Sequence, residues 1–184
     1  MNYDQVLVVA ATRAEAAHVP RSIPVVVTGL GKTAAAVATT RALAGVDPAR
    51  TLVVNVGTAG ALREGLAGTY LPGVALNHDM NADAIRALGY DPQERLVLEG
   101  GDPDLTLASG DVLVTDPEVR DLLAEDAHLV DMEGYAVAYA CQQLGVAVRV
   151  VKHVSDNADE SALDWPALVD ASARALGQWL EENL

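Results

Sequence analysis

Pro24-Val-Val-Val-Thr-Gly-Leu-Gly-Lys-Thr-Ala34 is the stretch on which the fold turns. A short apolar run of β-branched residues passes through two glycines into an Ala-rich segment that ends at Gly45. The run reads as a buried strand, the glycines as a tight turn, and 32–44 as a helix closed by its terminal glycine. Similar apolar runs occupy 5–11, 51–56 and 146–151, and helical patterns lie between them. One opens at Asp116-Pro-Glu, which supplies a cap, a proline for the first turn and an acid beside the helix N-terminus. Another covers 134–144 and stops at Gly145, and the last covers 165–183 with an apolar stripe of Leu168, Ala171, Ala175, Leu176 and Trp179. Strands alternating with helices predict an α/β fold with a largely parallel sheet. The middle, 65–110, is rich in Gly, Asp and Pro and reads as short strands and loops within one domain spanning 1–184.

The glycine turn admits several readings. Gly29-Leu-Gly31-Lys-Thr-Ala34 fits the dinucleotide pattern G-x-G-x-x-G/A and also ends like a phosphate-binding P-loop. The P-loop fails because its first glycine would fall on Val26. The dinucleotide reading lacks its acid, since the next strand runs out at Asn55-Val56 and Asp47 precedes it. A tight turn that lets Ala34 approach the sheet, or a turn whose N–H groups face a polar ligand, remains.

Composition narrows the function classes. The 184 residues carry 12 Lys+Arg and 26 Asp+Glu, a formal charge of −14, which disfavours nucleic acid and anionic membrane surfaces as partners. No apolar run reaches the length of a membrane span. The single Cys141 has no partner for an internal disulfide and sits in an apolar helix, so a reducing cytoplasm is the expected compartment. His18, His78, His128 and His153 lack ligand spacing, and no metal site is expected. Trp165 and Trp179 read as packing residues of the last helix.

Acids cluster where strands end. Glu15 follows the first strand, Asp131-Met-Glu133-Gly134 joins a strand to a helix, and Ser155-Asp156-Asn-Ala-Asp159 follows the last strand. Each alone fits an ordinary loop cap. Together they fit a convergent acidic site at the C-terminal edge of an open sheet. Asn55-Val-Gly57-Thr-Ala-Gly60 reads either as a plain loop or as a place where backbone approaches a ligand.

Five segments in order, 11–15, 28–32, 55–60, 130–134 and 154–159, resemble the nucleoside phosphorylase/nucleosidase superfamily, and within it the methylthioadenosine/S-adenosylhomocysteine nucleosidases. The resemblance runs from about Val6 to Leu180, and its specific parts are Met-Glu-Gly and Ser-Asp-Asn-Ala-Asp. It implies a nucleoside phosphorylase-like fold, three layers αβα around a mixed, largely parallel central sheet, with a purine nucleoside as the small-molecule partner, no cofactor and a homodimer. It implies Asp156 as the acid that protonates the leaving base and Glu15 as the residue that holds the attacking water. Glu133 would take the ribose hydroxyls and Met132 would lie beneath the sugar. Thr58, Ala59, Gly60 and Ser155 would line the ribosyl and base site, and Val112 and Val114 would flank the base edge. The phosphorylases of the family resemble one another in an arginine after the first strand and another before the second glycine segment. Here the first region offers Arg13 and Glu15, and the second place is Asn55, which favours water over phosphate as nucleophile. Three departures stand out. Only residues 16–27 separate Glu15 from Thr28, Leu113 stands where relatives stack a Phe, and Lys152-His153 replaces Arg-Ala. His153 is either a neighbour of Asp156 or a loop histidine satisfied elsewhere. The readings to be separated are a methylthioadenosine or S-adenosylhomocysteine hydrolase, a phosphorylase, a hydrolase for another nucleoside such as futalosine, a non-catalytic nucleoside-binding module, and a dinucleotide oxidoreductase.

Overall fold

In the computed structural model, which describes residues 3–184, the four apolar runs become neighbours in one sheet. They form β1 (Gln5–Ala10), β2 (Val25–Val27), β3 (Thr51–Ala61) and β9 (Ala147–Asp156), ordered β2-β1-β3-β9 and all parallel. Their side chains sort by the strand period of two. Leu7, Val9 and Val53 face α1 (Lys32–Leu43) and α4 (Gly134–Gln143), through Ala35, Leu43, Val137 and Cys141. Val8, Ala10, Val54, Val56 and Val151 face α5 (Trp165–Asn183), through Leu176 and Leu180. Helices on both faces make the three layers, and each buried Val or Leu contributes about 1.5–3 kcal/mol.

β3 is the junction of the sheet. Along most of its length it pairs with β9, but Gly60 and Ala61 pair antiparallel with β8 (Leu129–Asp131). From β8 the sheet continues through β7 (Asp102–Ser109), β5 (Pro72–Asn77) and β6 (Arg95–Val97). β7 runs parallel to both its neighbours, β6 is antiparallel, and β4 (Thr69–Tyr70) caps β9 antiparallel, so the sheet is mixed and mostly parallel as expected. Asp116 caps α3 (Pro117–Leu123) through a hydrogen bond from the Glu118 N–H. No helix among the described residues is long and apolar enough to cross a membrane.

Four local expectations change. Asn55 to Gly60 is not a loop but the continuation of β3, paired along its length with β9 and, at its two ends, with β1 at Asn55 and β8 at Gly60. β9 runs on past 151, so Ser155 and Asp156 belong to its end rather than to the loop beyond. The middle contains a short helix, α2 (Ala82–Ala87), capped by Asn81. The buried ridge of α5 is Val169, Ser172, Ala173, Leu176, Gly177 and Leu180, rotated from the expected stripe, with Ala171 facing solvent. Gly177 sets that rotation, because a Cβ there would lie 2.4 Å from the His18 carbonyl oxygen.

Candidate active site

The C-terminal ends of β1, β8 and β9 meet beside residues 57–60 of β3, and a cavity of about 390 Å³ opens there. Glu15, Glu133 and Asp156 all line it. So do Thr58, Ala59 and Gly60 on β3, Met132 beside Glu133, and Ser155 beside Asp156. Val112, Leu113 and Val114 form an aliphatic wall, and Leu30, Leu163 and Trp165 complete the mouth. All ten residues singled out from sequence therefore border one space.

Glu15 is anchored by its own turn. The Thr12 N–H and hydroxyl donate to Oε2 at 3.0 and 2.9 Å, and the Glu15 N–H donates back to the Thr12 hydroxyl at 3.2 Å. This is the reciprocal Thr-x-x-Glu box usually found at a helix start. The other oxygen, Oε1, accepts the Thr58 N–H at 2.9 Å and the Thr58 hydroxyl at 3.0 Å. Gly57 makes room for this, since a Cβ there would lie 3.1 Å from Oε1 and 3.0 Å from the Lys152 ammonium. Arg13, two residues before Glu15, points to solvent and does not border the cavity.

Asp156 owes its place to a bulge. β9 runs in register with β3 as far as Val154 opposite Ala59, then skips Ser155 and sets Asp156 opposite Gly60. A bulge re-aims the side chains that follow it. The Ala158 N–H donates to Oδ1 at 2.9 Å and the Ser155 hydroxyl to Oδ2 at 2.6 Å. Ala158 is the one non-glycine with positive φ (51°) among the described residues. A left-handed alanine costs on the order of 1 kcal/mol, and here it closes the turn that grips Asp156. A Cβ on Gly60 would lie 3.0 Å from both Oδ1 and the Ala158 methyl, so only glycine allows this approach.

Glu133 opens α4 and reaches across to the glycine turn, where its Oε1 accepts the Gly31 N–H at 2.7 Å. The next N–H, of Lys32, donates to Asp111 at 2.7 Å. Both amides at the start of α1 are thus occupied by carboxylates, which would repel a pyrophosphate and removes the dinucleotide reading. Burial, with the Asp131 charge beside it, pushes the Glu133 pKa up to about 7 against the opposing pull of Lys152.

Beneath the cavity lies a residue the sequence reading left without a role. Lys152 is buried, and its ammonium pairs with Asp131 at 2.8 Å. Asp131 in turn accepts the Ser109 hydroxyl and the Gly134 N–H. Burial works against the Lys152 charge, but Asp131, Glu133 and Glu15 outweigh it and hold its pKa above the ordinary value. His153 turns away and pairs with the Ser172 hydroxyl at 3.0 Å, so it is the histidine satisfied elsewhere. Trp165 is more than a packing residue, for it borders the cavity and its indole N–H donates to the Thr58 hydroxyl at 2.8 Å. Asn77-His-Asp79 stays outside the cavity. Asp79 instead ties Lys32 to the Asp111 N–H.

The lining contains four acids, no lysine and no arginine, and otherwise mostly aliphatic side chains around one indole. Such a space suits a ligand with a flat apolar part and hydroxyls to share among carboxylates.

The family model described as the phosphorylase superfamily matches residues 20–181. Among characterised proteins, the aminodeoxyfutalosine nucleosidase of Helicobacter pylori (strain ATCC 700392 / 26695) is 27% identical over 161 residues, covering 71% of this chain and 70% of that one. The 5′-methylthioadenosine/S-adenosylhomocysteine nucleosidase of Staphylococcus aureus (strain bovine RF122 / ET3-1) is 29% identical over 189 residues, covering 88% of this chain and 80% of that one. The fold is shared with the crystal structure of a 5′-methylthioadenosine/S-adenosyl homocysteine nucleosidase from Helicobacter pylori, with a TM-score of 0.84 at 23% identity over 99% of this chain and 98% of that one. It is shared also with the futalosine hydrolase of Helicobacter pylori strain 26695, with a TM-score of 0.81 at 23% identity over 96% and 95% of the two chains.

Proposed function

Since this chain belongs to the phosphorylase superfamily and is similar to nucleosidases, we propose that it hydrolyses the N-glycosidic bond of a purine nucleoside of the methylthioadenosine or S-adenosylhomocysteine type. The observation that carries this reading is the meeting of Glu15, Glu133 and Asp156 around one cavity. Asp156 is the acid to the base. Its Oδ1 faces an amide that can only donate, so Oδ2, which faces a hydroxyl, is the oxygen that carries the proton. Glu15 orients the water through Oε2, from which the Thr12 hydroxyl turns aside, because the N–H and hydroxyl groups of Thr12 and Thr58 otherwise fill both oxygens. As the bond between sugar and base breaks, its electron pair goes to the purine, Oδ2 delivers a proton to the purine N7, and the water that joins the anomeric carbon gives up its proton toward Glu15. Glu133 takes the ribose hydroxyls and opposes the positive charge that grows on the ring, while Met132 supports the sugar from below. Thr58, Ala59 and Gly60 form the floor along β3, and Val112 and Val114 hold the base edge. Two carboxyl groups on opposite sides of a glycosidic carbon, one acid and one holding water, is the logic of inverting hydrolysis. Futalosine remains the second reading for the nucleoside, supported by the similarity to the aminodeoxyfutalosine enzyme.

Water is favoured over phosphate on electrostatic grounds. A dianion would meet four acids and no cation on the cavity wall. Lys152 lies below and is already paired with Asp131. Free base should therefore appear at the same rate with and without phosphate, and chromatography should show ribose derivatives rather than ribose 1-phosphates. Dependence on phosphate would reverse the assignment.

The elevated Glu133 sets a pH dependence. As a carboxylate it accepts hydrogen bonds from two hydroxyls, and below about pH 7 it protonates and loses acceptor capacity. kcat/KM should fall as the pH drops below 7, with KM carrying most of the change. Glu133→Gln should flatten that limb, and an unchanged limb in the variant would assign it to another group.

Leu30, Val112, Leu113 and Leu163 stand 50–66% exposed at the rim. A second copy of the chain covering them accords with the expected homodimer, and sedimentation would test it. Burial pushes the Cys141 thiol up to about 12, which suits a core residue and not a nucleophile.

A further inference from the structure

We propose that Trp165 is a positioning residue for the water-holding side of the site: its indole N–H fixes the Thr58 hydroxyl so that the hydroxyl proton points at Glu15. The inference rests on the reading of Glu15 given above. An indole Nε1 can donate and never accept. At 2.8 Å from the Thr58 Oγ1 it fills one lone pair, and the hydroxyl proton cannot turn toward it. That proton then has one partner within reach, Oε1 of Glu15 at 3.0 Å, which also takes the Thr58 N–H at 2.9 Å. The hydroxyl is thereby withheld from the water and the sugar and assigned to the carboxylate.

The position of Trp165 makes this more than a local contact. The strand end bearing Asp156 leads through the strained turn at Ala158 and the 3-10 turn Glu160–Asp164 directly into Trp165, the first residue of α5. One side chain thus joins the segment that carries the acid to the carboxylate that holds the water. A phenylalanine at 165 would fill nearly the same space and leave the Thr58 hydroxyl free to rotate.

The test is a double-mutant cycle on 5′-methylthioadenosine hydrolysis with Trp165→Phe, Thr58→Ala and both together, with Glu15→Gln measured alongside. Trp165→Phe should lower kcat by about 5- to 10-fold, the scale of one hydrogen bond, with KM within about twofold. In the Thr58→Ala background the same change should cost nothing further. A loss that is equal in both backgrounds, or that falls on KM alone, would overturn the proposal and leave Trp165 as a wall of the cavity. If Glu15→Gln keeps full turnover, the role of Glu15 fails and this inference with it. If Glu15→Gln is inactive but the cycle is additive, only this inference fails. A second readout is independent of turnover. In a Trp179→Phe protein, Trp165 is the only indole, and Thr58→Ala should shift its emission to the blue as the N–H loses its acceptor. Unchanged emission would overturn the proposal even if the kinetics agreed.

Discussion

Asp156→Asn should release adenine from 5′-methylthioadenosine about 10²- to 10⁴-fold more slowly than the parent, the usual contribution of a positioned general acid. The amide has the shape of the acid, and its oxygen can still accept the Ala158 N–H that now reaches Oδ1. The turn, the bulge and the left-handed Ala158 should survive, so the melting temperature should move little. What disappears is the transferable proton. A purine leaves poorly as an anion, so the loss should fall on kcat with KM nearly unchanged. The leaving group provides an internal control. A nitrophenyl riboside releases a stable anion that needs no proton, and Asp156→Asn should cleave it at close to the parent rate. Turnover of methylthioadenosine within tenfold of the parent would remove Asp156 from the role of acid and would return the non-catalytic binding module to consideration.

The sequence disclosed Asp156 and its companions because their signals are local. Met132-Glu-Gly134 and Ser155-Asp-Asn-Ala-Asp159 are short, ordered segments at the ends of apolar runs. The anchoring of Glu15 was also open to a local reading, since Thr12-x-x-Glu15 is a capping-box pattern. What stayed hidden depends on contacts between distant segments. Gly57 and Gly60 look like loop residues, yet pairing with β9, and at Gly60 also with β8, overrides that preference and keeps β3 extended through them. Lys152 reads as one polar residue in a strand, and its partner Asp131 lies on another strand. The face α5 buries is chosen by Gly177 against the His18 backbone, a contact that carries no hydrophobic signal. Trp165 looked like packing because the threonine that receives its N–H is 107 residues away in sequence. Local chemistry thus announced the acids of the candidate site, while the residues that hold them in place emerged only with the fold.

Glu15→Gln should be the more damaging of the two carboxamide changes, because here the protein itself resists the replacement. Glu15 is 5% exposed and accepts from two sides, the Thr12 N–H at Oε2 and the Thr58 N–H at Oε1. Threonine hydroxyls can rotate away from a new donor, but backbone amides cannot. Whichever way the glutamine is turned, its NH2 group faces one of these N–H groups and a buried donor goes unsatisfied, at about 1–3 kcal/mol. For a chain of this length that corresponds to a melting temperature lower by roughly 2–12 °C. Turnover should fall by about 10²-fold or more, as the water loses the group that takes its proton. Unlike the loss in Asp156→Asn, this one should persist for a nitrophenyl riboside, since every leaving group still needs the water delivered. Measured on both substrates, the two variants should part company: the aspartate variant recovers with the activated leaving group and the glutamate variant does not. Recovery of Glu15→Gln on the nitrophenyl riboside would mean that the water is held by something other than Glu15, and the assignment of acid and water-holder to opposite ends of the β3 floor would have to be abandoned.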